Sequence, residues 1–244
     1  MAREMGPLSV VQRSAARARY DFGWLTTRHS FSFADYYDPD NLNWGALRVF
    51  NDDIVQPGEG FGTHPHRDME IVTYVLDGEL EHRDSMGNHG VVASGGVQYM
   101  SAGTGVLHSE FNGSTERPVR FVQMWILPAR SGEQPQYGQL DFAAGERDGT
   151  RLTIAAPTAA PIALRQDATL RVARARDGQV LVHAFDRGRY GFTFVARGSA
   201  AINGERLIEG DALRTFDVAE VRIDGDGEVV LWDVVATTVR LEDA

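Results

Sequence analysis

Two short histidine-bearing segments hold the residue types for metal chemistry. His64-Pro65-His66 sets two imidazoles at alternate positions. Alternate residues of an extended strand share one face, so both rings can reach a single ion. Farther along, His108-Ser109-Glu110 repeats the alternation with an imidazole and a carboxylate. Two adjacent strands, each giving two inward ligands, build a four-ligand mononuclear site. Further coordination is then open to water, substrate or dioxygen. Inward-facing side chains of this kind need a common partner, because buried polar groups left unpaired are costly. Glu70 lies four residues past His66 and is a further carboxylate near the same segment. The chain has no cysteine. Disulfides, thiolate zinc sites, cysteine-ligated iron–sulfur clusters and cysteine nucleophiles are therefore excluded.

Strands must position these groups, and strand signals dominate. Glu70–Leu76 is β-branched and aromatic and runs into the turn signal Asp77-Gly78. Val97–Ser101, Leu107–Phe111 and Val119–Leu127 read the same way, as do Leu152–Ala155, Leu170–Ala175, Gln179–Phe185, Tyr190–Ala196, Val218–Asp224 and Glu228–Val235. Short segments with closely spaced turns, and 26 glycines, predict an all-β chain of sandwiches or barrels. Ser14–Arg19 carries a weak helical pattern. The apolar fraction of 43% and charged fraction of 24% are those of a folded globular protein. The net charge of −10 repels phosphate backbones, which argues against direct nucleic-acid binding. The opening MAREMGPLSV has no apolar run of signal-peptide length, and no stretch has the length and apolarity of a membrane helix. A cytoplasmic chain without membrane contact is expected.

The length of 244 residues allows two domains. Between 131 and 150 the chain turns glycine-rich and polar, which predicts a linker there, with domains over 1–130 and 151–244. Thr73-Tyr74-Val75-Leu76-Asp77-Gly78 is echoed by Thr193-Phe194-Val195-Ala196-Arg197-Gly198, an offset near half the chain. Two copies of one β-domain follow from that echo. At the same offset, His64 and His66 meet Ala184 and Asp186, and no histidine follows His183. The second copy therefore lacks a ligand set, and His183 reads as a satisfied strand residue. His82 and His89 flank the Asp84–Asn88 turn and read as solvent-facing or rim residues. His29, in an aromatic segment, reads as packed structure.

These motifs resemble a known family. Gly58-x5-His64-x-His66-x3-Glu70 is similar to the first cupin motif, and Gly105-x2-His108-x3-Asn112 to the second. More closely, Arg28–Tyr36, His64–Glu70, Asp84–Asn88 and Met100–Gly105 leading into His108-Ser109-Glu110 resemble the pirin family, densely from about 20 to 130 and more loosely beyond 150. The chain departs from the general cupin pattern at Gly103, where a proline is usual, and at Gly78, one residue late.

The resemblance implies a bicupin, two tandem jelly-roll-like barrels with metal in the first only. It carries the ligand role onto His64, His66, His108 and Glu110, with Glu70 outside the ligand shell, orienting a ligand imidazole. It also implies quercetin 2,3-dioxygenase activity: opening of a flavonol heterocycle by O2 with loss of CO, Glu110 serving as base. Phe61, Met100, Phe111, Met124 and Trp125, on or near the metal-bearing strands, are candidates to line the slot for a flat substrate. The alternative implied by the family is a non-enzymatic regulator whose metal state governs a protein partner in transcription or metabolism. Three histidines and a glutamate suit Fe, Mn, Co, Ni, Cu or Zn; Fe(II) is expected from its availability in cells.

Overall fold

A computed structural model describes residues 6–176 and 178–237. In chain order its strands are β1 (Leu8–Gln12), β2 (Ala18–Asp21), β3 (Leu25–His29), β4 (Leu47–Val55), β5 (Gly60–His66), β6 (Glu70–Asp77), β7 (Glu79–Asp84), β8 (His89–Ala93), β9 (Val97–Ser101), β10 (Val106–Asn112), β11 (Val119–Ile126) and β12 (Gln136–Leu140). They continue as β13 (Arg151–Ala156), β14 (Ile162–Ala163), β15 (Ala168–Arg174), β16 (Val180–Ala184), β17 (Tyr190–Arg197), β18 (Ser199–Ile202), β19 (Glu205–Ile208), β20 (Ala212–Phe216), β21 (Glu220–Asp224) and β22 (Glu228–Val234). Every strand expected above overlaps one of these, with ends that differ by at most two residues where the expected segment runs past the strand. The helical pattern at 14–19 yields only a 3-10 turn over Ser14–Ala16 before β2 begins. No helix among the described residues is long and apolar enough to cross a membrane.

The strands form two units, each built from a seven-stranded and a four-stranded sheet. The first unit has the orders β12-β9-β6-β11-β4-β3-β2 and β5-β10-β7-β8; the second has β1-β20-β17-β22-β15-β13-β14 and β16-β21-β18-β19. This is the bicupin architecture. The echoed segments fall on β6 and β17, which hold the same place in each larger sheet and end in the same turn. Gly78 (φ 78°) and Gly198 (φ 70°) take the left-handed conformation that only glycine adopts cheaply. Each unit closes over its own apolar core. In the first, Leu25, Val55, Val75 and Phe121 pack with Leu80 and Val92 of the facing sheet. In the second, Val195, Leu213 and Leu231 pack with Leu181, Val221 and Ile223.

The units do not follow the expected boundaries. One comprises residues 18–43 and 47–143, the other residues up to 17, residues 44–46 and residues 144–237. β1 pairs with β20 over Leu8–Gln12, so the N-terminal strand completes the sheet of the second unit. The expected linker 131–150 contains β12, which pairs with β9 and fills the matching edge of the first. Composition reads a glycine-rich polar stretch as a connection, but strand pairing satisfies backbone groups whatever the side chains.

Candidate metal centre

β5 and β10 are neighbours in the four-stranded sheet, and register sets His64 opposite His108. Along β10, Val106, His108, Glu110 and Asn112 are buried while Leu107 and Phe111 are exposed, so the His-x-Glu pair faces inward as alternation requires. The strands approach closely because Gly60 has no side chain; a Cβ there would run into the backbone of Glu110 and Phe111. The rings of His64, His66 and His108 form a triangle, with centroids 4.8, 4.5 and 4.7 Å apart. One nitrogen from each lies within 4.8 Å of the other two.

The donor set fits a divalent transition metal. His64 Nδ1 donates to the Gly62 carbonyl at 2.7 Å, which leaves the Nε2 lone pair facing inward, 3.0 Å from His108 Nε2. Burial, with the neighbouring imidazoles, pushes His66 and His108 down to about 3. Both rings are therefore neutral at pH 7, the form that binds metal.

Glu110 sits behind this triad and is 1% exposed. Its Oε1 accepts from Gln98 Nε2 at 2.6 Å and its Oε2 from Gln123 Nε2 at 2.7 Å; Gln123 Oε1 in turn accepts from Trp125 Nε1 at 3.1 Å. Glu110 also groups with His108 and His82, ligand atoms again within 4.8 Å of one another. His82 corrects the rim reading: it is fully buried, stacked on Tyr137 at 4.3 Å, with Nε2 3.1 Å from Asp84 Oδ2. Burial opposes ionisation of Asp84, but hydrogen bonds from Asn88, His82 and two backbone N–H groups outweigh it and hold its carboxyl below the usual range. His82 Nε2 therefore donates. The signal was present in the alternation of Leu80, His82 and Asp84 along β7, which shares its inward face with a core leucine. His89 is exposed beside Glu81, as expected.

A cavity of about 440 Å³ opens over His64 and His66 of the triad. His64, His66, Glu110 and Gln123 line it with the rings of Tyr20, Phe22, Trp24, His29, Phe33, Phe61 and Trp125. Of the five slot candidates, Phe61 and Trp125 line it. Phe61 meets Trp24 edge-on at 5.2 Å, and Trp125 meets His66 edge-on at 4.7 Å. Phe111 faces outward between two inward residues of β10. Met124 alternates out of line with Gln123 and Trp125 and is buried on the other face of β11. Met100 packs into a separate apolar cluster with Met69, Ile71 and Val106. Glu70 also corrects its expected place. It is buried on the face of β6 opposite Ile71, Thr73 and Val75, and accepts from Tyr99 Oη at 2.7 Å. The sequence reading missed Gln98, Gln123 and the aromatic wall from β2 and β3, and it placed His29 in packing alone. Their approach depends on non-local pairing of β3, β4 and β11, which no local pattern reveals.

The Pirin family profile matches residues 11–126, and a profile described as the quercetinase C-terminal cupin domain matches residues 153–234. The "Quercetin 2,3-dioxygenase" of Escherichia coli K12 is 43% identical over 229 residues, covering 92% of this chain and 97% of that protein. The "Pirin-like protein" of Caulobacter vibrioides is 43% identical over 218 residues, 87% of this chain and 94% of that protein. The crystal structure of the bacterial pirin YhhW from Escherichia coli in complex with nickel(II) superposes with a TM-score of 0.89 at 38% identity, covering 94% of this chain and 100% of that one. With both halves matched and relatives aligned across nearly their whole length, the chain belongs to the pirin family of bicupin proteins.

Proposed function

We propose that the first unit is a metal-dependent flavonol 2,3-dioxygenase, its ion held by His64, His66, His108 and Glu110. The observation that carries this reading is the cavity: an aromatic slot, of a volume usual for small-molecule sites (about 300–1,000 Å³), lined at its base by His64 and His66 of the triad and by Glu110. The relatives named quercetin 2,3-dioxygenase support the substrate class. Fe(II) is the ion proposed; the nickel(II) complex of YhhW shows that this family frame takes a divalent transition metal.

A divalent metal at the triad supplies a Lewis-acidic position for the flavonol 3-oxygen and a route for electrons to dioxygen. The chain's own groups do the rest. Trp125, Phe61 and Phe33 present apolar surface to a flat ring system and exclude water from it. Glu110 takes the 3-hydroxyl proton at a carboxylate oxygen. Each oxygen already accepts one amide N–H, and a carboxylate has lone pairs to spare, so the proton is accommodated without breaking either contact. Gln98 and Gln123 hold that carboxylate at a fixed angle. The electron-rich flavonolate reacts with O2, both oxygen atoms enter the product, and the carbon between the cleaved bonds leaves as CO. Metal-loaded protein given a flavonol should consume one O2 per CO released, measured by oxygen electrode and CO trapping. Absence of oxygen uptake with every flavonol tested overturns the reading.

A further inference from the structure

The inner face of the first unit's larger sheet carries a polar row at the level of Glu110. Register sets Gln98 beside Thr73, Thr73 beside Gln123, Gln123 beside Asn51 and Asn51 beside His29, one residue from each of β9, β6, β11, β4 and β3. Gln98 and Gln123 are committed to Glu110. Asn51 lies beyond them and lines the cavity, as do Thr27 and Asp53, which pair with each other one rung away. Asn51 is 3% exposed and Thr27 2%, yet Asn51 Oδ1 and Thr27 Oγ1 have no hydrogen-bond partner. Folding buries such atoms at a cost, and the cost is recovered only when something polar meets them.

We infer that this wall is a hydroxyl-recognition subsite, in which Asn51 and Thr27, beside the Asp53 carboxylate, hold ring hydroxyls of a polyphenol remote from the hydroxyl that meets the triad. The inference rests on the flavonol reading and narrows it to ring-hydroxylated flavonols. The chemistry of the wall selects the ligand group. An amide oxygen, a hydroxyl and a carboxylate all accept, so the ligand must donate, which a phenol does. The Asn51 carboxamide offers an acceptor beside a donor whichever way it is turned. An anionic ligand group at this wall would lie beside Asp53, and an acceptor-only group would find no donor in Asp53. Around the wall stand Tyr20, Trp24 and Phe33, which suit a flat ring and nothing more polar. A site that hydrogen-bonds a substrate hydroxyl rejects the analogue lacking it, because its own buried groups are then left unpaired.

Three probes test this: 3-hydroxyflavone, 3,5,7-trihydroxyflavone and 3,3′,4′-trihydroxyflavone. Each is titrated into metal-loaded wild-type protein, Asn51→Leu and Thr27→Val, with binding read from quenching of tryptophan fluorescence and the ligand-free melting temperature recorded for each variant. Wild-type protein should bind at least one trihydroxyflavone ~10-fold more tightly than 3-hydroxyflavone. Which one it is identifies the ring at the wall. In either variant the ratio should fall to within ~3-fold, because the trihydroxyflavone loses its partner and 3-hydroxyflavone no longer leaves a buried polar atom unpaired. Both variants should melt at or above the wild-type temperature, since an unpartnered polar atom has been replaced by an apolar group of like shape. Equal affinity for all three flavonols in the wild type, or a ratio preserved in both variants, overturns the subsite alone. Binding of none of the three by the wild type overturns the flavonol reading and the subsite with it. If Asn51→Leu does not fold, Thr27→Val carries the same comparison.

Discussion

The two units place different residues on the same row of the same sheet. In the first it runs Gln98, Thr73, Gln123, Asn51, His29; in the second, through the threonine 120 residues on, it runs Leu213, Thr193, Leu231, Arg171, Thr153. The facing sheets differ in the same sense. Where β5 and β10 bring His64, His66, His108 and Glu110 inward, β16 and β21 bring Leu181, Val221 and Ile223 into an aliphatic core. The second unit does keep one buried histidine, but His183 Nε2 lies 2.9 Å from Asp233 Oδ2, and Asp233 Oδ1 accepts from Arg189 Nε at 2.6 Å. That imidazole has a fixed partner inside the protein, whereas the triad rings of the first unit face chiefly one another. One frame thus serves two ends: filled with leucine and valine it gains the transfer free energy of apolar burial, and filled with imidazole and amide it forgoes part of that gain to hold a reactive centre. Among the described residues, no group of ligand-type side chains close enough to share an ion lies in the second unit.

The comparison breaks most decisively at the metal. Wild-type protein should carry about one ion per chain, because one unit alone has a ligand set. His64→Ala should abolish occupancy and turnover together, since it removes one of three anchoring imidazoles. His183→Ala should leave occupancy unchanged. Element analysis of the three proteins decides, and two ions per wild-type chain would contradict the asymmetry.

Glu110→Gln should have the next largest effect, a loss of at least ~100-fold in turnover with weakened but measurable metal binding. The replacement is nearly isosteric but offers one acceptor where the carboxylate offered two. Gln123 cannot turn to compensate, because its Oε1 already accepts from Trp125. Gln98 can, since its Oε1 is buried without a partner and can take the new N–H. The fold should therefore survive, and turnover at the wild-type rate would remove Glu110 from the chemistry.

Acid sharpens the contrast. In the folded, metal-free protein His66 and His108 titrate at about 3, while in the unfolded chain they titrate near 6.5. Below 6.5 the unfolded chain binds protons that the folded one refuses, so stability is full above that pH and is lost as pH falls from there toward 3. The loss should be of order 1 kcal/mol per pH unit for each ring, and so about 2–3 kcal/mol per pH unit for the two together. Protons compete with metal over the same window, so ion release should accompany it. Melting temperatures of metal-free protein between pH 7 and pH 4 measure the slope, and His108→Asn should flatten it.

How much of this was legible in the sequence depends on range. Alternation along β10 sets His108 and Glu110 on one face, and β-branched runs ending at glycine mark β6 and β17; these are local patterns, and the structure bears out the all-β chain that they predict and the bicupin that the family resemblance implies. Glu70 and Met100 fail for a different reason. Each lies near the right segment, but face and depth in the barrel decide whether a side chain reaches the site, and those are set by partners far away in sequence. β1 is the extreme case: nothing in Leu8–Gln12 indicates that its partner is β20. His82 is legible through its alternation with Leu80 along β7, and the nearby turn does not bring it to the surface.

The smallest expected effect concerns the residue the two rows share. Thr73 Oγ1 and Thr193 Oγ1 are both buried without a hydrogen-bond partner. Valine has the same branched shape and lacks the hydroxyl, so Thr73→Val and Thr193→Val should each leave stability unchanged or raise it by up to about 1 kcal/mol. Thr73 sits between Gln98 and Gln123, the two amides on Glu110, while Thr193 sits between Leu213 and Leu231. If the polar row of the first unit acts only through atoms that touch Glu110 or the cavity, both variants keep wild-type turnover and their melting shifts match. A selective loss of turnover in Thr73→Val, with Thr193→Val silent, would extend the working part of the row to its centre. Equal loss of stability in both would instead show that each hydroxyl has a bound water as its partner. The paired melting curves and one turnover measurement separate these outcomes.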